Sequence, residues 1–230
     1  MTIDFNKVRS FVYNRLDEVE GVMWDTINYY EICEENYDED EDEEGHGYYT
    51  LREVADVMGA SYACNGATKV VFFFDELPEV VVKIPFIGDD EGFEFEIDYC
   101  AREAQVSEAL DEAGCGDMVC RTYFLGNYHD RPIYVSERAT EDFHSGSLSH
   151  HYHSCKEDVH QLVQNLRWDY SCVRSGVTDV WENMLDCFGK ERVMELINVF
   201  EEWDVNDCHY GNIAYKNEKP VFIDYSGYFE

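Results

Sequence analysis

The stretch from Trp203 to Glu230 reads WDVNDCHYGNIAYKNEKPVFIDYSGYFE. Asp207 and Asn212 stand five apart on a segment that Gly211 allows to turn tightly, and the run KPVFID then sets Asp224 at the end of a strand. An amide oxygen and carboxylates delivered to one place are hard oxygen donors, the ligand type that Mg²⁺ takes. A chain with 50 acidic residues also contains aspartates with no such role, so the residues upstream must decide.

Composition narrows the choices. The 230 residues are 45% hydrophobic and 15% aromatic, enough apolar material for a folded core. Seventeen Lys plus Arg against 50 Asp plus Glu leave a net charge of −33, which repels phosphate backbones and anionic lipid. Direct nucleic-acid binding and membrane binding are not expected, whereas a basic partner protein is compatible with the charge. Nine cysteines (Cys33, Cys64, Cys100, Cys115, Cys120, Cys155, Cys172, Cys187 and Cys208) form an odd set without a CxxC pair. With the opening MTIDFNKVRS carrying no secretory pattern and no apolar run of membrane-spanning length, a soluble cytoplasmic protein with reduced thiols is expected.

Phe5, Val8, Val12, Leu16, Val19 and Met23 recur at helical spacing, which predicts amphipathic helix over about 5–30. The acidic run Glu34 to Glu44 reads as a linker or loop, because so charged a run cannot bury itself. Leu51, Val54, Ala55 and Met58 share a face of a short helix ending at Gly59. The period then changes. Lys69–Phe74 and Glu79–Pro85 read as a hairpin across DELP, with Ser61–Ala63 as a preceding strand. From Phe95 to Ala113 the pattern is helical, with Tyr99, Val106 and Leu110 in one stripe and Glu103 inside it. MVCRTYFLGN and RPIYVSERA read as two further strands around NYHD. Beyond Thr140 the segments containing Val159–Leu166, Val180–Phe188 and Val193–Trp203 read as helices.

Phosphoryl transfer from ATP needs a cation on the α- and β-phosphates, an anion to hold that cation, oxygen ligands for Mg²⁺, and a carboxylate beside the nucleophile. Lys83 lies in the apolar strand VVVKIP, where an unpaired charge is unfavourable, and Glu103 on the following helix can supply the counter-charge. Glu108 is the alternative if the helix phase is off by a turn. Asp207, Asn212 and Asp224 complete the set in chain order.

These residues resemble the protein-kinase-like superfamily, in the divergent branch with D-x-H-x-G-N, and most of all the kinase domain of bacteriophage early serine/threonine protein kinases. The likeness runs over about residues 50–230 and rests on CNGATKVVF, VVKIP, DCHYGNI and VFIDYSGY, with DYSG where the family has D-F-G. The resemblance implies an α+β, two-lobed fold: a helical extension and acidic linker over 1–48, an N-lobe with an antiparallel sheet over 49–139, and a truncated, mostly helical C-lobe over 140–230. It implies ATP and Mg²⁺ as cofactors. Lys83 is then the phosphate-binding lysine and Glu103 its partner. Asp207 becomes the catalytic base, with His209 packing its loop, and Asn212 and Asp224 become the metal ligands. Gly66 stands at the centre of the phosphate turn, and backbone groups from Glu137 to Ala139 face adenine. Host proteins of an infected cell are the implied substrates.

Two other readings remain open. A pseudoenzyme on this fold could use its negative charge to mimic DNA or to occupy a basic host protein. His144, His150, His151, His153 and Cys155 are metal-ligand types, but their spacing matches no closed four-ligand zinc pattern, and surface histidines are the plainer expectation.

Overall fold

In the computed structural model the described residues are 3–19, 51–65, 68–86, 98–139, 141–142, 178–206, 208 and 210–226. The architecture is α+β, with an antiparallel five-stranded sheet and several helices. Two compact units divide the chain: Met1–Cys100 with Tyr123–Ser136, and Ala101–Thr122 with Glu137–Glu230.

The first unit begins with α1 (Phe5–Glu18), capped by Asp4, whose carboxylate accepts from the Lys7 N–H at 3.2 Å. Val8, Val12 and Leu16 are buried, as their spacing requires. Helix α2 (Leu51–Met58) buries Val54, Ala55 and Met58 and ends where Gly59 takes φ +63°. The Ala60 N–H returns to the Ala55 carbonyl at 2.8 Å and the Gly59 N–H to Asp56 at 3.1 Å, a Schellman closure that glycine makes without strain.

Five strands follow: β1 (Tyr62–Asn65), β2 (Lys69–Phe73), β3 (Val80–Pro85), β4 (Thr122–Tyr128) and β5 (Arg131–Glu137), in the order β1-β2-β3-β5-β4. The expected hairpin is β2–β3, antiparallel, with Val71 opposite Lys83. The first strand, expected over Ser61–Ala63, is Tyr62–Asn65 and pairs Tyr62 with Phe73. Strand β3 is central, and all six of its residues are buried, which is why its sequence is apolar on both faces apart from Lys83 rather than alternating. The edge strand β4 is covered by α1: Arg9 Nε donates to the Leu125 carbonyl at 2.8 Å and the Tyr13 hydroxyl to the Asn127 carbonyl at 2.9 Å. Gly126 between them has φ +142°, and a Cβ there would lie 2.6 Å from the Tyr13 hydroxyl oxygen. Glycine is what allows the helix so close.

The second unit receives α3 (Tyr99–Glu112), which enters from the first and ends at Gly114 with the same closure: Cys115 N–H to Leu110 O at 2.7 Å. It also holds α4 (Thr178–Phe188), α5 (Lys190–Glu202) and a three-stranded sheet, β6 (Glu141–Asp142), β7 (Ile213–Lys216) and β8 (Lys219–Phe222), in that order. Its core gathers Val106, Leu110, Trp181, Phe200 and Phe222, while the first unit keeps a core of its own around Val12, Phe72 and Val82. Fully burying each such side chain stabilises by roughly 1.5–3 kcal/mol.

Within the helices expected over 5–30 and 95–113 the structure has Phe5–Glu18 and Tyr99–Glu112, and the parts of those expectations over 20–30 and 95–97 lie outside the described residues. The acidic tract Glu34–Glu44, the His144–Cys155 cluster, the segment Val159–Leu166, Gly66, Asp207 and His209 lie outside the described residues. No described helix is long and apolar enough to cross a membrane.

Candidate functional site

The hairpin of β7 and β8 sets the geometry of the oxygen donors. Ile213 pairs with Phe222, and the pairing continues past the strand ends, because the Ile223 N–H donates to the Asn212 carbonyl at 2.9 Å. Asn212 and the segment carrying Asp224 are therefore neighbours at the open end of one hairpin. The strand stops at Phe222, so Asp224 lies just beyond it rather than within it. Asn212 is buried, Asp224 is half-buried, and the Ser226 hydroxyl donates to Asp224 Oδ1 at 3.3 Å.

The approach to Asn212 is also fixed. After α5 the chain turns at Asp204, φ +50°, with the Val205 N–H returning to Phe200 O at 2.7 Å and the Asp204 N–H to Glu201 O at 3.3 Å. Val205 and Cys208 are buried, and a 3₁₀ turn over Tyr210–Asn212 leads directly into β7.

Glu103 is fully buried on α3, whereas Glu108, the other carboxylate considered for its role, is exposed. The Thr122 hydroxyl donates to Glu103 Oε1 at 2.7 Å, and the Thr122 N–H donates to Ser107 Oγ at 3.2 Å. Ser107 is one turn beyond Glu103 on the same face. Tyr225, also fully buried, stacks on Phe200 at 6.5 Å between ring centroids and donates its hydroxyl to the Cys120 carbonyl at 2.9 Å. Burial holds the Tyr225 phenol well above its usual range, the Glu103 charge pushes the same way, and the Ser107 and Thr122 hydroxyls oppose it. Tyr225 thus stays a hydrogen-bond donor.

Glu137 is buried at the end of β5. Its carboxylate accepts from the Arg121 N–H at 3.1 Å, from Arg121 Nη2 at 3.2 Å, and from Lys216 Nζ. Burial alone would raise this carboxyl, but the bonds from Arg121 and Lys216 outweigh it and hold the group below its usual value. The Glu137 N–H is spent on the Arg121 carbonyl at 3.0 Å, while Ala139 is partly exposed two residues on. Arg121 reaches Asp111 as well, at 3.2 Å.

Lys83 belongs to the first unit, 3% exposed in a strand with no exposed residue. A cation so placed has lost most of its hydration and requires anionic company. Asn212 and the segment of Asp224 are brought together, and Glu103 is held in a polar network within the same unit. The residues that sequence reasoning passed over are Thr122, Ser107, Tyr225 as a hydroxyl, and the Arg121–Lys216 pair around Glu137. Ser107 at helical spacing from Glu103 was a visible signal; the others needed the fold.

As donors for a divalent ion, Asn212 and Asp224 offer one amide oxygen and one carboxylate. That set fits Mg²⁺, which binds through one or two protein oxygens and keeps waters and phosphate oxygens for the rest. Among the described residues no group of three or more His, Cys, Asp or Glu side chains could hold a metal by itself. Compared with protein-family models, curated proteins and solved structures, the chain matches none.

Proposed function

We propose that the chain is an ATP-dependent phosphotransferase on a two-lobed protein-kinase-like fold, a phage-type serine/threonine kinase acting on host proteins. The observation that carries this reading is the β7–β8 hairpin, which sets Asn212 beside the segment of Asp224. The antiparallel five-stranded sheet with its helix after the third strand, the buried Lys83 in its central strand and the buried Glu103 on that helix support it further.

In this reading Lys83 neutralises the α- and β-phosphates, Glu103 serves as its counter-charge, and Asp207 accepts the proton of the attacking hydroxyl. Asn212 and Asp224 hold Mg²⁺, which when bound offsets charge on the phosphate oxygens. Gly66 leaves room for the phosphates, and the Glu137 carbonyl with the Ala139 backbone receives adenine.

The test is incubation of the purified chain with Mg²⁺ and labelled ATP, with and without host lysate, beside Asp224→Ala. Label should transfer with the wild type and not with the variant. Equal transfer by both would remove Asp224 from the site, and no transfer by the wild type would remove the activity. The net charge of −33 favours one second reading, an acidic pseudoenzyme that occupies a basic host protein or mimics DNA. Biological function retained in both Asp207→Ala and Asp224→Ala would favour it.

A further inference from the structure

The segment Cys120–Arg121–Thr122 is bonded at every residue, and it alternates sides as an extended chain does. Cys120 faces the end of β8: its N–H donates to the Phe222 carbonyl at 2.8 Å and its carbonyl accepts the Tyr225 hydroxyl at 2.9 Å. Thr122 faces α3, with its hydroxyl on Glu103 and its N–H on Ser107. Arg121, between them, gives its N–H to the Glu137 carboxylate and its carbonyl to the Glu137 N–H. All of these residues belong to the second unit.

A phenylalanine at position 225 would pack on Phe200 equally well, so the ring does not explain the hydroxyl. Burying a phenol oxygen is unfavourable unless it is bonded, and here it is bonded to the same short segment that holds Glu103. We propose that Tyr225 is a positioning residue for Asp224, tied through Cys120–Thr122 to Glu103, so that the orientation of the metal ligand and of the helix carboxylate are set by one buried network. The inference rests on the phosphotransferase reading and deepens it. Asp224, flanked by Ile223 bonded to Asn212 and Tyr225 bonded to Cys120, is held from both sides. Without the hydroxyl the tie to Cys120 is lost, and the Ile223 bond and the Ser226 hydroxyl on Asp224 Oδ1 remain.

The experiment uses the full chain, Mn²⁺ as a paramagnetic probe and a non-hydrolysable ATP analogue, and reads Mn²⁺ affinity and its resonance line shape in wild type, Tyr225→Phe, Thr122→Val and the double variant. Thermal melts run beside it. Tyr225→Phe should weaken Mn²⁺ in the nucleotide complex by about fivefold, the scale of one lost hydrogen bond, and broaden the distribution of Mn²⁺ environments. Thr122→Val, at the residue bonded to Glu103, should shift the affinity in the same direction, and the double variant should lose less than the product of the two. Thr122→Val carries the test if Tyr225→Phe does not fold. Wild-type affinity and line shape in the folded variants would overturn the positioning role while leaving the phosphotransferase reading intact. Failure of the wild type to bind Mn²⁺ with nucleotide would overturn that reading, and the inference with it.

Discussion

Glu137 shows how a single buried carboxylate is kept charged. Burial raises its proton affinity, yet the Arg121 and Lys216 bonds leave it below the usual value. A glutamate depressed in the folded state contributes stability that is complete above its unfolded pKa, about 4.3, and is lost as pH falls through the folded value. Glu137→Gln should therefore destabilise by roughly 2–4 kcal/mol at neutral pH, since it leaves two cations against a neutral amide. The gap between wild type and variant should close as the pH drops below about 4. Denaturant melts at several pH values measure this, and a gap that widened on acidification would contradict the assignment. The site aspartates separate by a different assay. Asp207→Ala should abolish transfer with nucleotide binding largely kept, whereas Asp224→Ala should remove both, because only the second loses the metal.

At the scale of elements, the β7–β8 hairpin is the part whose geometry the proposed site depends on. Its loop is Asn217–Glu218, with φ +53° and +63°, the left-handed pair that a type I′ turn requires. Asparagine tolerates that region, but glutamate is strained there. Glu218→Gly should stabilise the chain by about 0.5–1 kcal/mol and leave transfer unchanged, as read by thermal melt and kinase assay. A loss of stability would mean that the Glu218 side chain makes a contact outweighing the strain. The converse holds at Gly59, φ +63° beneath the Arg15 guanidinium: Gly59→Ala should destabilise by about 1 kcal/mol, because the turn at the end of α2 and the close guanidinium both resist a Cβ.

Over the whole molecule the strongest long-range influence is charge. With a net −33 the compact state repels itself, and added salt screens that repulsion. The midpoint of thermal unfolding should rise between low and about 0.5 M NaCl, by about 2–4 °C for each 1 kcal/mol of repulsion relieved. A midpoint that fell with salt would show that attractive pairs such as Arg121–Glu137 outweigh the repulsion. Deletion of Glu34–Glu44 should leave folding and transfer intact, since a segment this acidic, with Tyr37 as its single aromatic residue, contributes little burial. A lysate pull-down at low and physiological salt, with intact and deleted chain, shows whether the tract docks a basic protein: a partner held equally by both chains at both salts removes that role.

The element order was legible because each element carries its own period. Strands β2 and β3 are apolar runs around DELP, α3 places Tyr99, Val106 and Leu110 on one stripe, and Gly59 closes α2 by local sterics. Lys83, Asn212 and Asp224 stood out for the same reason, as polar residues at defined places in or beside apolar segments. The sequence could not fix which of Glu103 and Glu108 faces inward, since they stand about 1.4 turns apart and the pattern leaves the helix phase open, and burial in the fold turns Glu103 inward. Nor could it show that Tyr225 bonds Cys120, that Thr122 bonds Glu103, or that Arg121 and Lys216 enclose Glu137. Those partners are 105, 19, 16 and 79 residues apart along the chain. Local pattern determines which face of an element is apolar, whereas the pairing of buried polar groups across such distances is decided only when the elements pack.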